Sequence, residues 1–112
     1  MTRNKILDRF DKIRFYKQVS QDLAQLAGSE LKFILKALQR IRDTKVDIGE
    51  FLGKRRDMNL SGYRKVKLRK HNLRIIFKKV KNKLIVAKIV TVGKREDFRV
   101  YKEALRRIAR DK

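Results

Sequence analysis

The part of the sequence that most constrains the fold is a set of three short segments in which apolar and polar residues alternate. They span Tyr63 to Arg69, Leu73 to Lys79 and Leu84 to Val92, and each is rich in β-branched or aromatic residues. A period of two is typical of strands. The connections at Lys70–Asn72 and Lys81–Asn82 are short, so neighbouring strands should run antiparallel. The pattern predicts a three-stranded antiparallel meander.

Two helices are predicted between a first strand and this meander. Residues 13–19 alternate and indicate the first strand. Ser20 is expected to cap a short helix that Gly28 ends, and Ser29 is expected to cap a second helix that continues to about Arg42. The second helix has apolar residues at helical spacing: Leu31, Ile34, Leu35, Leu38 and Ile41. The short connection predicts an antiparallel helix pair.

The remaining segments complete a predicted single domain. After Gly93, the spacing of Phe98, Tyr101, Leu105 and Ile108 predicts a final helix over residues 97–110. Residues 43–60 are expected to be mostly loop, and residues 1–12 an additional N-terminal arm. The predicted fold class is α+β in the order β-α-α-β-β-β-α. We expect an antiparallel sheet of about four strands, with the helices on one face.

The chain carries a large positive charge that is concentrated in its second half. There are 33 Lys and Arg against 12 Asp and Glu, a formal net charge of +21. Residues 54–112 contain 22 basic and 5 acidic residues, whereas residues 1–53 contain 11 and 7. Such an imbalance favours polyanions, so nucleic acid is the predicted partner. A lipid surface is disfavoured, because no long helix places Lys and Arg opposite large apolar residues.

The residue types restrict the chemistry that this chain can perform. There is no cysteine, and His71 is the only histidine. Disulfides, thiolate zinc sites and a cysteine nucleophile are therefore excluded, and too few ligands remain for a transition-metal site. The apolar runs are too short for a signal peptide or a membrane span, which predicts a cytoplasmic protein. Catalysis without a cofactor would depend on Lys, Arg, Tyr or carboxylates.

Several cations and one phenol are predicted to converge on one side of the sheet. Alternation places Lys65 and Lys67 on one face of their strand, and Arg74 on the adjacent strand can join them. Arg95 follows the last strand, and Tyr101 lies on the final helix. When a ribose 2′-hydroxyl attacks its own phosphate, fixed ammonium and guanidinium groups stabilise the developing negative charge. Tyr101 is then a candidate for the base that removes the 2′-proton.

Each of these residues, and also His71, fits a purely structural role. Tyr101 falls on the apolar stripe of its helix, where a tyrosine can pack with its polar tip exposed. The two strand lysines also fit solvated positions or edge protection. Arg74 also fits an ion pair with Asp57 or Glu96. His71 lies in a tight turn and is expected to be solvated.

Three segments of the second half carry a recognisable combination of residues. They are YRKVKLR at 63–69, LRIIF at 73–77 and VGKRE at 92–96, the last followed by VY at 100–101. Together they resemble the lysine-bearing strand, the arginine-bearing strand and the terminal signature of the RelE branch of the RelE/ParE toxin superfamily. The resemblance covers residues 60–108, and the predicted helix pair before it fits in order and length.

The resemblance implies the toxin of a type II toxin–antitoxin system, a metal-independent, ribosome-dependent endoribonuclease that cuts messenger RNA in the ribosomal A site. It implies that Lys65 and Lys67 hold or polarise the scissile phosphate, and that Lys67 also helps to activate the 2′-hydroxyl. Arg74 would stabilise the transition state, Arg95 would hold the phosphate or serve the leaving group, and Tyr101 would be the base or a stacking platform for the nucleotide. Further cations are expected to contact RNA or the ribosome: Lys54, Arg55, Arg56, Arg69, Lys70 and Lys94. An acidic antitoxin is the implied protein partner.

Two other functions stay open on the sequence alone. The gyrase-inhibiting ParE branch shares the fold but would not need the full set of Lys, Arg and Tyr residues. A passive ribosome- or RNA-binding module would use the same charge without cleaving the message. Tyr16 and Tyr63 are candidates either for packing or for stacking on RNA bases.

Overall fold

The described part of the chain forms ten regular elements, seven of which follow the predicted order. The computed structural model describes residues 7–43, 48–55, 58–81 and 84–111. The elements are β1 (Ile13–Phe15), α1 (Val19–Ala24), α2 (Gly28–Arg42), β2 (Glu50–Phe51), β3 (Lys54–Arg55), β4 (Met58–Asn59), β5 (Arg64–Leu68), β6 (Leu73–Lys79), β7 (Ala87–Lys94) and α3 (Arg99–Arg110). Short 3₁₀ turns occupy Arg69–His71 and Glu96–Phe98. The predicted loop at 43–60 thus contains three two-residue strands.

Five strands form one sheet in the order β1-β7-β6-β5-β2, and β3 and β4 form a separate hairpin. Strands β5, β6 and β7 are the predicted antiparallel meander, with Lys67 opposite Arg74 and Ile75 opposite Val92. Strand β1 instead pairs with β7 in parallel, so the prediction of a wholly antiparallel sheet is wrong at this edge. Alternation along β1 shows that it is a strand, but alternation carries no information about its neighbour or its direction.

The helices cover both faces of the sheet, not one face as predicted. Leu73, Ile75 and Phe77 of β6 are buried in a cluster with apolar residues of α1 and α2. Ile76 points to the opposite face and packs in a second cluster with Val100 and other residues of α3. A strand that is apolar on both faces needs cover on both. We call these two sides of the sheet the α2 face and the α3 face.

Several element ends differ from the predictions. Helix α1 begins one residue before Ser20, so this serine lies inside the helix and not at its cap. The cap of α2 is Ala27 and not Ser29, because the Glu30 carboxylate accepts a hydrogen bond from the Ala27 N–H at 3.0 Å. The carboxylate of the third helix residue thereby binds the N–H of the cap residue, which is one of the two hydrogen bonds of a capping box. The turn predicted at 81–82 falls partly outside the described residues.

The described part of the N-terminal arm, residues 7–12, packs on the main core. Leu7 and Phe10 are both buried and belong to the same apolar cluster as the residues of α1 and α2. The Phe10 ring contacts the Phe15 ring edge-on, at a centroid distance of 6.3 Å. The Arg42 guanidinium lies 5.5 Å from the Phe10 centroid and pairs with Asp11 at 3.1 Å. These contacts join this part of the arm to the domain.

Gly49 occupies a position where the fold requires glycine. Its φ is +96°, and a Cβ there would lie 2.9 Å from the Phe77 ring and 3.3 Å from the Lys65 carbonyl oxygen. Phe77 is a buried core residue and cannot retreat freely. We expect Gly49→Ala to lower the free energy of unfolding by about 1–3 kcal/mol, measured by urea denaturation. At Gly53 a Cβ would meet nothing within 4 Å, so an equal loss from Gly53→Ala would contradict this explanation.

Candidate active site

A cleft on the α3 face brings together three of the five predicted catalytic residues. It has a volume of about 620 Å³ and lies between β5, the loops beside the β3–β4 hairpin, and the start of α3. This volume is within the usual range for small-molecule sites. The residues that line it include Lys54, Leu60, Lys65, Arg95, Phe98 and Tyr101. Glu50 also lines the cleft, which therefore combines cations and aromatic rings with one carboxylate.

Lys65 and Tyr101 lie close to each other in this cleft. Lys65 Nζ is 5.7 Å from the centroid of the Tyr101 ring, within the range of a cation–π contact. Tyr101 is only 7% exposed and packs in the same cluster as Ile76 and Ala104. The two explanations that the sequence left open for Tyr101 are therefore compatible, because its ring packs in the core and also lines the cleft.

Arg95 and Phe98 form the neighbouring wall. The Arg95 guanidinium lies 5.9 Å from the centroid of the Phe98 ring, which is 6.2 Å from that of Tyr101. The Arg95 N–H donates to the Asn72 carbonyl at 3.0 Å and so ties this turn to the β5–β6 turn. The sequence pattern assigns Phe98 only to the apolar stripe of the last helix. Its position three residues from both Arg95 and Tyr101 is the signal that could have placed it in the site.

Arg74 and Lys67 lie beside the cleft and do not line it. They are directly opposite each other in the β5–β6 register and share the α3 face. Arg74 is 8% exposed; its Nη1 donates to the Leu73 carbonyl at 2.9 Å, but its Nε has no partner among the described residues. The alternative ion pair with Glu96 does not form, and Asp57 lies outside the described residues. A buried guanidinium with an unused donor is costly, and an anionic ligand would reduce that cost.

The cations of this region differ in how their charge is compensated. Within the described ranges, no carboxylate pairs with Lys65, Arg74 or Arg95. Lys67 pairs with Glu50 at 3.2 Å. The hydrogen bond from Lys67 holds the pKa of Glu50 below its usual range, and the charge of Lys65 adds to this effect. The cleft therefore carries positive charge at Lys65 and Arg95, which have no carboxylate partner within the described ranges.

The other predicted RNA-contacting cations are spread around the cleft. Lys54 lines it directly. Arg69 and Lys70 are exposed in the 3₁₀ turn that follows β5. The side chain of Arg55 and all of Arg56 lie outside the described residues. Of these five cations, the structure places only Lys54 at the cleft.

Lys94 lies away from the cleft, toward α2. Its ammonium donates to the Glu30 carboxylate and, at 3.1 Å, to the His71 carbonyl. The hydrogen bond from Lys94 lowers the pKa of Glu30, and the Ala27 N–H adds to this effect. The prediction that His71 is solvated is wrong, because its ring packs 4.6 Å from the Phe33 ring and its Nε2 is buried. This group holds the β5–β6 turn against α2.

A second group of cations, which the sequence did not reveal, crosses the α3 face. Arg14, Lys88 and Lys78 are directly opposite one another on β1, β7 and β6, and we call them the basic row. Like charges in such positions destabilise a sheet. Lys88 Nζ lies 4.7 Å from the centroid of Tyr16, and Lys78 Nζ lies 5.6 Å from that of Tyr63. The local pattern could not show the row, because it depends on the register of three strands.

Tyr16 is poorly suited to act as a base. Partial burial raises its pKa to about 12, and the charge of Asp111 together with hydrogen bonds to Asp111 and Tyr63 acts in the same direction. A phenol with so high a pKa stays protonated at neutral pH. Tyr16 is instead a packing residue, partly buried against the apolar clusters on both faces of the sheet.

A buried ion pair fixes the position of α3. Arg107 is 6% exposed, and its Nη1 and Nη2 each donate to a carboxylate oxygen of Asp22 at 2.7 Å. Arg107 Nη1 also donates to the Val90 carbonyl, and Asp22 accepts the Val92 N–H at 3.1 Å. Burial alone lowers the pKa of Arg107, but the hydrogen bonds and charges of Asp22 and Glu103 outweigh it and raise the pKa. The network joins α1, β7 and α3 and so supports the helix that carries Tyr101.

Potential metal ligands do not cluster in the described part of the chain. No group of three or more His, Cys, Asp or Glu side chains within 7–43, 48–55, 58–81 and 84–111 is arranged to hold a metal ion. In those same ranges, no helix has the length and apolar character needed to cross a membrane.

Comparison with known proteins gives a match in fold. No protein-family model and no curated protein matches the sequence significantly. A mutant of the E. coli toxin RelE in the free state matches with a TM-score of 0.64 at 23% identity, over 88% of this chain and 97% of that chain. The intact E. coli RelBE toxin–antitoxin complex gives 0.59 at 18% identity, over 78% and 99% of the two chains. The toxin–antitoxin complex RelBE2 from Mycobacterium tuberculosis gives 0.57 at 22% identity, over 78% and 93%. These matches confirm the fold that the resemblance implied: the chain has the fold of the RelE toxins.

Proposed function

We propose that this chain is the toxin of a type II toxin–antitoxin system and that it cleaves messenger RNA in the ribosomal A site. The observation that carries the proposal is the cleft. Lys65 lies beside Tyr101 there, Arg95 lies beside the Phe98 ring, and neither cation has a carboxylate partner among the described residues. Arg74, on the same face, has a buried donor that finds no partner in the described part of the chain. This arrangement suits a phosphodiester, and it occurs on the fold of the RelE toxins.

The cleft residues can be assigned to the steps of RNA cleavage. Lys65 and Arg95 would hold the scissile phosphate. Tyr101, acting as a phenolate, would accept the proton of the ribose 2′-hydroxyl as the 2′-oxygen attacks phosphorus. The bond from phosphorus to the 5′-oxygen then breaks, leaving a 2′,3′-cyclic phosphate, and the 5′-oxygen takes up a proton from solvent. Arg74 and Lys67 would stabilise the charge on the phosphate oxygens once the RNA is bound. Donors fixed by the fold before the reaction lower its barrier most effectively.

The same basic surface suggests how the activity is restrained. RelE toxins are found in complexes with antitoxins, as in the RelBE structures. We propose that an acidic antitoxin folds on the α3 face or displaces α3, and so blocks Lys65, Arg74 and Tyr101 together. The toxin would then act in the cytoplasm, where its ribosomal substrate is found.

The proposal is tested by adding the purified chain to programmed bacterial ribosomes and mapping the 5′ ends of the message. We expect cuts within the A-site codon that require the ribosome, with no such cuts in the same RNA free in solution. Lys65→Met should lower the cleavage rate by about a hundredfold, because it removes one phosphate ligand. Lys36→Met is the matched control, since Lys36 is an exposed lysine of α2 away from the cleft.

The other candidate functions give different results in this assay. A passive ribosome-binding module would bind tightly at low salt and leave the message intact. A gyrase inhibitor would leave the message intact and block DNA supercoiling. Either result would contradict the proposed cleavage.

A further inference from the structure

Phe98 holds an unusual backbone conformation at the wall of the cleft. Its φ is +59° and its ψ is 23°, in the left-handed region that bulky residues seldom adopt. It lies where the 3₁₀ turn ends and α3 begins, and its N–H donates to the Arg95 carbonyl at 2.9 Å. Glycine or asparagine would take this conformation with less steric strain. Strained residues of this kind concentrate at functional sites, so the Phe98 ring is a candidate for a role in binding.

The ring of Phe98 stands between a phosphate-binding cation and the proposed base. The Arg95 guanidinium lies 5.9 Å from its centroid, and the Tyr101 ring lies 6.2 Å away, inclined by 46°. Lys65 Nζ follows at 5.7 Å from the Tyr101 ring. The two aromatic rings of the cleft therefore lie between two cations, in the order Arg95, Phe98, Tyr101 and Lys65. Phe98 is only partly buried, so a ligand in the cleft can reach its ring.

We propose that Phe98 stacks on the nucleobase next to the scissile phosphate. This rests on the proposed function, because it uses the same cleft and the same RNA. A base and its phosphate are attached to one ribose, so a phosphate held by Arg95 and Lys65 brings a base to this wall. Every base has a π face, so stacking adds binding without demanding one sequence. Phe98 would thus position the nucleotide while Tyr101 acts on its 2′-hydroxyl.

The test uses a message with 2-aminopurine in the A-site codon and a 2′-deoxyribose at the cleavage position, so that it binds without being cut. The fluorescence of 2-aminopurine falls when an aromatic ring stacks on it. We expect quenching by the unchanged chain and by Phe98→Tyr, which keeps the ring. Phe98→Leu should lose the quenching and require about tenfold more protein for half-maximal binding. Phe33→Leu, an exposed phenylalanine of α2, is the matched control and should behave like the unchanged chain.

A second variant separates stacking from packing. Phe98→Asn suits the left-handed conformation, so it should keep the midpoint of thermal unfolding within a few degrees while losing the quenching. If Phe98→Leu binds and quenches like the unchanged chain, the stacking inference is overturned although cleavage of a normal message still stands. If the unchanged chain does not cleave a normal message on ribosomes, the proposed function fails and the inference fails with it.

Discussion

Tyr101→Phe is expected to lower the rate of ribosome-dependent cleavage by about 10²–10⁴-fold, the range for loss of a general base. The substitution removes one hydroxyl and keeps the ring that packs with Ile76 and Ala104. The contact of Lys65 with the ring is also kept. Thermal unfolding should therefore change little, so the loss would be one of chemistry. Single-turnover cleavage on programmed ribosomes measures it.

Tyr63→Phe is the matched control for this prediction. Tyr63 also lies on the α3 face, where Lys78 Nζ stands 5.6 Å from its ring centroid, but it does not line the cleft. Removing the Tyr63 hydroxyl should therefore leave the cleavage rate within a few-fold of that of the unchanged chain. A Tyr101→Phe rate as high as that of Tyr63→Phe would remove Tyr101 as the base and make Lys67 the next candidate.

Arg107→Met is expected to lower the free energy of unfolding by about 3–5 kcal/mol, because it leaves the buried Asp22 carboxylate without its main partner. The carboxylate would keep its hydrogen bond from the Val92 N–H but lose both guanidinium contacts. Urea denaturation followed by circular dichroism measures the change. Since α3 carries Tyr101, cleavage should fall together with stability.

Arg106→Met provides the comparison for the buried pair. Arg106 is the preceding residue of α3; its side chain is 61% exposed, and it pairs with Glu103 at 2.6 Å. Exposed ion pairs of this kind contribute at most about 1 kcal/mol. If Arg107→Met were no more damaging than Arg106→Met, the buried network would not be what holds α3 in place.

The features that the sequence predicted correctly are those that depend on near neighbours along the chain. Strand β6 was predicted with its observed ends because alternation and a short preceding turn define it. Lys65, Arg95 and Tyr101 could be grouped because they lie on or beside a local meander and the helix that follows it. The paired face of Lys67 and Arg74 followed from the hairpin register.

The features that the sequence did not predict depend on contacts between distant segments. Asp22 and Arg107 are 85 positions apart, and the residues around each of them form no pattern that would predict this ion pair. The parallel pairing of β1 with β7 joins residues near 14 to residues near 88. The strain at Phe98 depends on how a 3₁₀ turn meets α3, which side-chain periodicity does not describe.

The short length of β1 has a consequence for how the molecule behaves in concentrated solution. Strand β1 pairs with β7 only as far as Ile89, so no strand of the described ranges lies beside the far half of this edge. An open edge of that kind invites pairing with another chain. Asp22 accepts the Val92 N–H and so blocks the edge with a side chain. One carboxylate thus anchors α3 through Arg107 and occupies a backbone donor on the part of β7 that β1 does not reach.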